Sequence, residues 1–212
     1  MELKETIQKY AEQPIVRHVL LSLLKDYKRP YDKINELVKQ KILMPVKRGI
    51  YIPGPNLNMA PPEPFLLANH LLGPSYVSMD SALSYWGFIP EKVFEVSSAT
   101  IKSHKFYDTP IGRFSYISLP LPYYSFGIQK VALTKKQIIL IASPEKALCD
   151  KIITTSGILL RSSKQAIEYL TEDLRIDEQA LRKLNVAAIN DWIIDAPKKE
   201  SLNILITALK KL

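Results

Sequence analysis

The sequence predicts an α+β chain in two parts. Residues 1–55 read as a small helical segment closed by a hairpin, and residues 56–212 as a mixed α/β domain with a mostly antiparallel sheet and C-terminal helices. Three observations predict this. Apolar residues recur at helical spacing up to residue 42 and then give way to two short extended runs. The tract from Pro53 to Pro64 holds five of the 15 prolines, whose fixed φ and missing N–H donors interrupt helix and strand alike, so the boundary falls within it. Extended runs then dominate to residue 142, and helical periodicity returns after it.

A first helix is expected over about residues 2–12. A second is expected from Pro14, read as its first helical residue, to Asp26, because Ile15, Val16, Val19, Leu20, Leu23 and Leu24 fall on one side and Arg17, His18, Ser22 and Lys25 on the other. Lys28-Arg29-Pro30 breaks it. A third helix over about residues 31–41 turns Ile34, Leu37, Val38 and Ile42 inward and Lys33, Asn35, Glu36, Lys39 and Gln40 outward. Leu43-Met44-Pro45-Val46 and Ile50-Tyr51-Ile52 read as strands around Lys47-Arg48-Gly49, with glycine supplying the φ a tight turn needs and Pro45 confining its strand to an edge.

Three helices followed by a hairpin tipped with two bases is the order of a winged helix-turn-helix. In that geometry the third helix enters the major groove and the wing reaches the neighbouring backbone or minor groove. The residues this places against DNA are Lys28, Arg29, Lys33, Asn35, Lys39, Gln40, Lys47 and Arg48. Asp32 and Glu36, on or beside that face, would repel phosphate or accept from a cytosine amino group. On charge alone, a small helical domain with solvated lysines competes with this reading.

The base-tipped wing tips the balance toward DNA, and the excess charge is local to the same segment. The chain of 212 residues carries 29 Lys and Arg against 21 Asp and Glu, a formal +8, and residues 1–55 hold eleven bases against six acids, or +5 of it. A polyanionic partner is thus a matter for the first quarter of the chain. With 47% hydrophobic and 24% charged residues the chain is expected to be globular. A charged start, no apolar run long enough to span a bilayer and one cysteine, Cys149, lead to the expectation of a cytoplasmic protein without disulfides or membrane partners.

In the larger domain, residues 65–72 are expected to be helical and Tyr76-Val77-Ser78 extended. Ser78 or Asp80 would cap a helix over residues 81–86 that Gly87 stops. Strands are expected over 93–96, 113–119, 128–133 and 137–142, with Thr109-Pro110-Ile111-Gly112 a hairpin turn. Ser143-Pro144-Glu145 opens a helix with a cap, a proline at its first position and an early carboxylate, and three or four more helices follow. In the last, about 199–212, Leu202, Leu205, Ile206 and Leu209 form a stripe assigned to the core, with a partner face as the alternative.

No chemistry is predicted. His18, His70 and His104 lack partners at metal-ligand spacing, and seven glycines form no phosphate cradle. Cys149 reads as a buried small apolar residue. Gly73-Pro74-Ser75 with Asp80 lacks the second carboxylate a magnesium-dependent nucleotidyltransferase needs, so Asp80 reads as a helix-start residue. Glu145, Lys146 and Asp150 read as surface pairing and dipole matching along a helix start. No enzyme, metal or cofactor is expected.

Three blocks taken in order, Val46-Lys47-Arg48-Gly49-Ile50-Tyr51, Tyr76-Val77-Ser78-Met79-Asp80-Ser81-Ala82-Leu83-Ser84-Tyr85-Trp86-Gly87 and Ile141-Ala142-Ser143-Pro144-Glu145-Lys146-Ala147-Leu148-Cys149-Asp150, resemble the AbiEi antitoxin family, described as predicted transcriptional regulators of viral defence (abortive infection) systems. The resemblance spans about residues 44–150. It implies a winged helix that binds inverted repeats upstream of its own operon as an autorepressor, and a non-enzymatic C-terminal domain that antagonises a nucleotidyltransferase-like toxin in a type IV toxin-antitoxin system. The chain departs from the family where Lys28-Arg29-Pro30 stands in place of a small-residue turn. Palindromic operators would imply a homodimer on DNA. The alternative is a protein-interaction module that neutralises the toxin without binding DNA.

Overall fold

Ile15 and Val16 decide the arrangement of the N-terminal segment. The computed structural model, which describes residues 3–91 and 93–212, opens with helix α1 (Leu3–Gln8), while Met1 and Glu2, at the start of the expected first helix, lie outside the described residues. Ile15 and Val16 then form a two-residue strand, β1 (Ile15–Val16), so the helix expected from Pro14 begins only at Arg17 and runs to Leu23 as α2. Both residues are β-branched and gain a partner, Ile15 opposite Tyr51 and Val16 opposite Ile50. Helix α3 (Pro30–Lys39) starts on the proline that ends the Lys28-Arg29-Pro30 break, a residue preorganised for a first helical position.

The strands β2 (Leu43–Lys47) and β3 (Ile50–Pro53) close an antiparallel three-stranded sheet in the order β1-β3-β2, which leaves Pro45 on an edge strand as expected. Alternation along the strands turns Ile15, Leu43 and Tyr51 toward a small core with Ile7, Leu20, Leu24, Ile34 and Leu37. Val16, Met44, Val46, Ile50 and Ile52 turn the other way, into the main core of the chain. The sheet is thus a wall with a core on each side. Gly54 seals the end of α3: a Cβ there would collide with the Lys41 carbonyl oxygen. Asn56 donates from its backbone to that oxygen and from its side chain to the Gln40 carbonyl.

After the proline tract come α4 (Pro64–Leu71), β4 (Ser75–Val77), α5 (Met79–Tyr85), β5 (Glu95–Thr100), β6 (Lys105–Thr109), β7 (Gly112–Ser118), β8 (Ile128–Ala132), β9 (Ile138–Ala142) and α6 (Pro144–Thr154). The strands form one sheet in the order β6-β7-β5-β4-β9-β8. It is mixed rather than mostly antiparallel, because β5 runs parallel to β7 and β4 parallel to β9, while the other neighbours are antiparallel. The turn at 109–112 joins β6 to β7 with Thr109 opposite Gly112. The strand expected over 93–96 is displaced to Glu95–Thr100.

Four further α-helices finish the chain: α7 (Ser163–Glu168), α8 (Glu178–Leu181), α9 (Val186–Trp192) and α10 (Lys199–Leu209). Leu202, Leu205, Ile206 and Leu209 of α10 are buried in the main core. No helix among the described residues is long and apolar enough to cross a membrane.

Candidate nucleic-acid interface

The outer face of α3 follows from its inner one. Ile34 and Leu37 are buried and Val38 packs beside them, so residues about 100° to 180° away around the helix face solvent. Asp32, Asn35, Glu36, Lys39 and Gln40 are exposed there, and Tyr31, about 60° from Ile34 around the helix and beside Val38, is exposed at the edge of that face. The two acids are internally paired. Glu36 accepts from Lys33 Nζ at 2.9 Å on one oxygen and from Gln40 Nε2 at 2.9 Å on the other. The lysine hydrogen bond holds this carboxyl below its ordinary value. Asp32 lies 3.8 Å from Arg29 across the first turn.

The eight residues placed against DNA therefore divide into three groups. Lys28, Asn35, Lys39 and Arg48 are exposed, and among the described residues none of them has a side-chain partner. Lys33, Gln40 and Arg29 are occupied with the helix's own acids, at an exposed surface where such pairs exchange readily. Lys47 is turned into the protein: its ammonium donates to the Leu71 carbonyl at 2.8 Å and to the Tyr107 hydroxyl at 2.9 Å, and lies 4.4 Å from the centre of the Tyr107 ring. Lys47 ends the strand and docks inward, while Arg48 stands in the two-residue turn that follows, exposed at the tip.

Arg17 joins this surface, although its position on the wet side of α2 gave no sign of it. Its backbone N–H donates to the Gly49 carbonyl at 2.8 Å, and its guanidinium lies about 3.9 Å from where a Gly49 side chain would begin. The first residue of α2 and the tip of the hairpin thus bring Arg17 and Arg48 to one end of the sheet. Gly49 has φ +85°, which the two-residue turn requires.

On the far side of the main sheet, Glu145, Lys146 and Asp150 are not the surface pairs expected of them. Lys146 and Asp150 are fully buried and 3.0 Å apart. Asp150 also accepts from the hydroxyls of Tyr76 at 3.0 Å, Ser78 at 2.7 Å and Tyr123 at 2.9 Å, while Lys146 Nζ donates to the Tyr123 carbonyl at 2.9 Å. Burial pulls the lysine below its ordinary value, opposed by the nearby carboxylate, and pushes both tyrosines up. Ser78 occupies the cap position of α5, yet its hydroxyl serves Asp150 instead of the helix.

Glu145 accepts from the Asn185 backbone N–H, and Asp80, in the first turn of α5, pairs with Lys151 at 2.7 Å. Cys149 is fully buried, and burial pushes its thiol up, away from the thiolate a nucleophile needs. Among the described residues no cluster of three His, Cys, Asp or Glu is placed to hold a metal.

No protein-family model matches the chain, and no curated protein matches it.

Proposed function

We propose that the chain is a DNA-binding transcriptional autorepressor serving as the antitoxin of a type IV toxin-antitoxin system in the cytoplasm, and that it is not an enzyme. The N-terminal segment is read as a winged helix-turn-helix of the AbiEi kind, with α3 as its recognition helix and the β2–β3 hairpin as its wing. The observation that carries this is the element order α1-β1-α2-α3-β2-β3 with sheet order β1-β3-β2, combined with an α3 whose solvent face has its acids internally paired and leaves Asn35 and Lys39 free to contact DNA.

The antitoxin part rests on the resemblance, and one feature of the body supports taking its blocks together. Tyr76 and Ser78 come from the second block and Lys146 and Asp150 from the third, and the first three meet at the buried Asp150 carboxylate. The partners on this reading are operator DNA with inverted repeats and a nucleotidyltransferase-like toxin.

The test is titration of the chain's own upstream DNA at several salt concentrations. Neutralising each phosphate contributes about −0.9 to the slope of log K against log salt, so a surface with Lys28, Lys39, Arg17 and Arg48 should give a steep negative slope. A flat salt response, or equal affinity for upstream and unrelated duplex, counts against repression. Toxicity of the neighbouring gene product that this chain relieves even when its operator contacts are removed would favour the interaction module instead.

A further inference from the structure

We infer that Tyr31, Asn35 and Lys39 form the base-reading stripe of α3, and that the sequence they read holds a thymine, an adenine and a guanine in that order, about two base pairs apart. This rests on the DNA-binding reading above and goes beyond it by naming the bases. The three residues lie at four-residue intervals, 40° apart around the helix, and are all exposed, Tyr31 at 58%. Four residues advance the helix axis by about 6 Å, close to two base-pair steps of about 3.4 Å.

The chemistry of each residue selects its base. The carboxamide of Asn35 both donates and accepts, which matches N6 and N7 of adenine. The Lys39 ammonium only donates, matching O6 and N7 of guanine, and the Tyr31 ring offers an apolar contact to a thymine methyl. Flanking groups are engaged by their own partners. Glu36 has both oxygens engaged by Lys33 and Gln40, so a cytosine amino group has to compete with two donors already in place. Lys47 is held by Leu71 and Tyr107.

Selection from a randomised duplex library with the full chain tests this, because it reads base preference at each position separately from affinity. Wild type should enrich a site with the three bases in the stated order. Asn35→Ala should lose about 5- to 150-fold of its adenine preference at one position and keep the others; Lys39→Ala should do the same for guanine, and Lys39→Arg should retain it. Tyr31→Ala should relax only the thymine. Circular dichroism checks that these surface variants fold. Wild type that enriches a site while Asn35→Ala and Lys39→Ala enrich the same one overturns the stripe and leaves DNA binding standing. Wild type that enriches nothing overturns both.

Discussion

Removing the Asp150 carboxylate should cost the body more stability than any other single change at its size. Asp150→Ala leaves Lys146 as a buried cation without its counter-charge and withdraws the acceptor from the hydroxyls of Tyr76, Ser78 and Tyr123. Breaking a buried pair from one side costs about 3–5 kcal/mol, and each hydroxyl that finds no other acceptor adds about 1–3 kcal/mol. Against a typical total of about 5–15 kcal/mol, Asp150→Ala should be mostly unfolded at neutral pH. Asp150→Asn, which keeps the shape, should fold with a loss nearer 3–5 kcal/mol. Urea unfolding followed by tryptophan fluorescence suits the measurement, since Trp86 donates to the Ala142 carbonyl and Trp192 stacks on Phe126, both within the body.

The sign of the pH dependence follows from the lysine. Burial lowers the folded-state value of Lys146, so between that value and the ordinary lysine value the unfolded chain binds more protons and stability rises with pH. Without Asp150 the folded value falls further, and the deficit of Asp150→Asn should shrink as the solution is made alkaline. A deficit below 1 kcal/mol at pH 7, or one that grows toward pH 10, would refute the reasoning.

The two bases of the hairpin should separate cleanly. Arg48→Ala should reduce the salt slope of DNA binding by about 0.9 and leave the urea midpoint within about 0.5 kcal/mol. Lys47→Ala, which breaks charge-assisted hydrogen bonds to Leu71 and Tyr107, should cost about 1.5–3 kcal/mol of stability with the slope unchanged. Gly54→Ala drives a Cβ against the Lys41 carbonyl and should lower stability by about 1–3 kcal/mol, read from the same urea curves. Cys149 should resist a thiol reagent in the native chain and react only in step with unfolding, because burial removes access and pushes the thiol up; prompt native labelling would contradict this.

Local chemistry was the legible part of the sequence. Ser143 accepts from the Lys146 backbone N–H and Pro144 takes the first helical position, as a cap signal within four residues can announce. Pro45 on its edge strand and the turn at 109–112 are of the same kind. The strand at Ile15–Val16 was not legible, because its apolar positions also satisfy a helical stripe and its partners lie some 35 residues away in β3. The four-residue spacing of Lys146 and Asp150 correctly set them facing each other. Whether that face is wet was decided by Tyr76, Ser78 and Tyr123, which no local pattern links to α6. The inward docking of Lys47 was not legible either, because a bulge at 45–47 breaks the strand alternation and the groups that hold it, Leu71 and Tyr107, lie 24 and 60 residues away.

The shared sheet ties the reading surface to the body. Residues 53–64 have a linker's composition, but β2 and β3 give Met44, Val46, Ile50 and Ile52 to the main core and Leu43 and Tyr51 to the small one. Gln13 donates to the Lys136 carbonyl and Glu12 accepts from Thr134 and Gln137, fastening a second side of the segment to the β8–β9 turn. Two attachments, one through the hairpin and one through the turn before β1, oppose rotation as well as separation, so the hairpin tip and α3 are held at a fixed angle to the larger sheet. A partner that displaced Tyr107 or the end of α4 would remove the contacts of Lys47 and loosen the tip of the hairpin, with Met44, Val46, Ile50 and Ile52 still seated in the main core. On the proposed DNA-binding reading, engagement of the body at that place should change affinity for DNA through the β2–β3 hairpin, and by linkage the coupling should have the same magnitude read from either side.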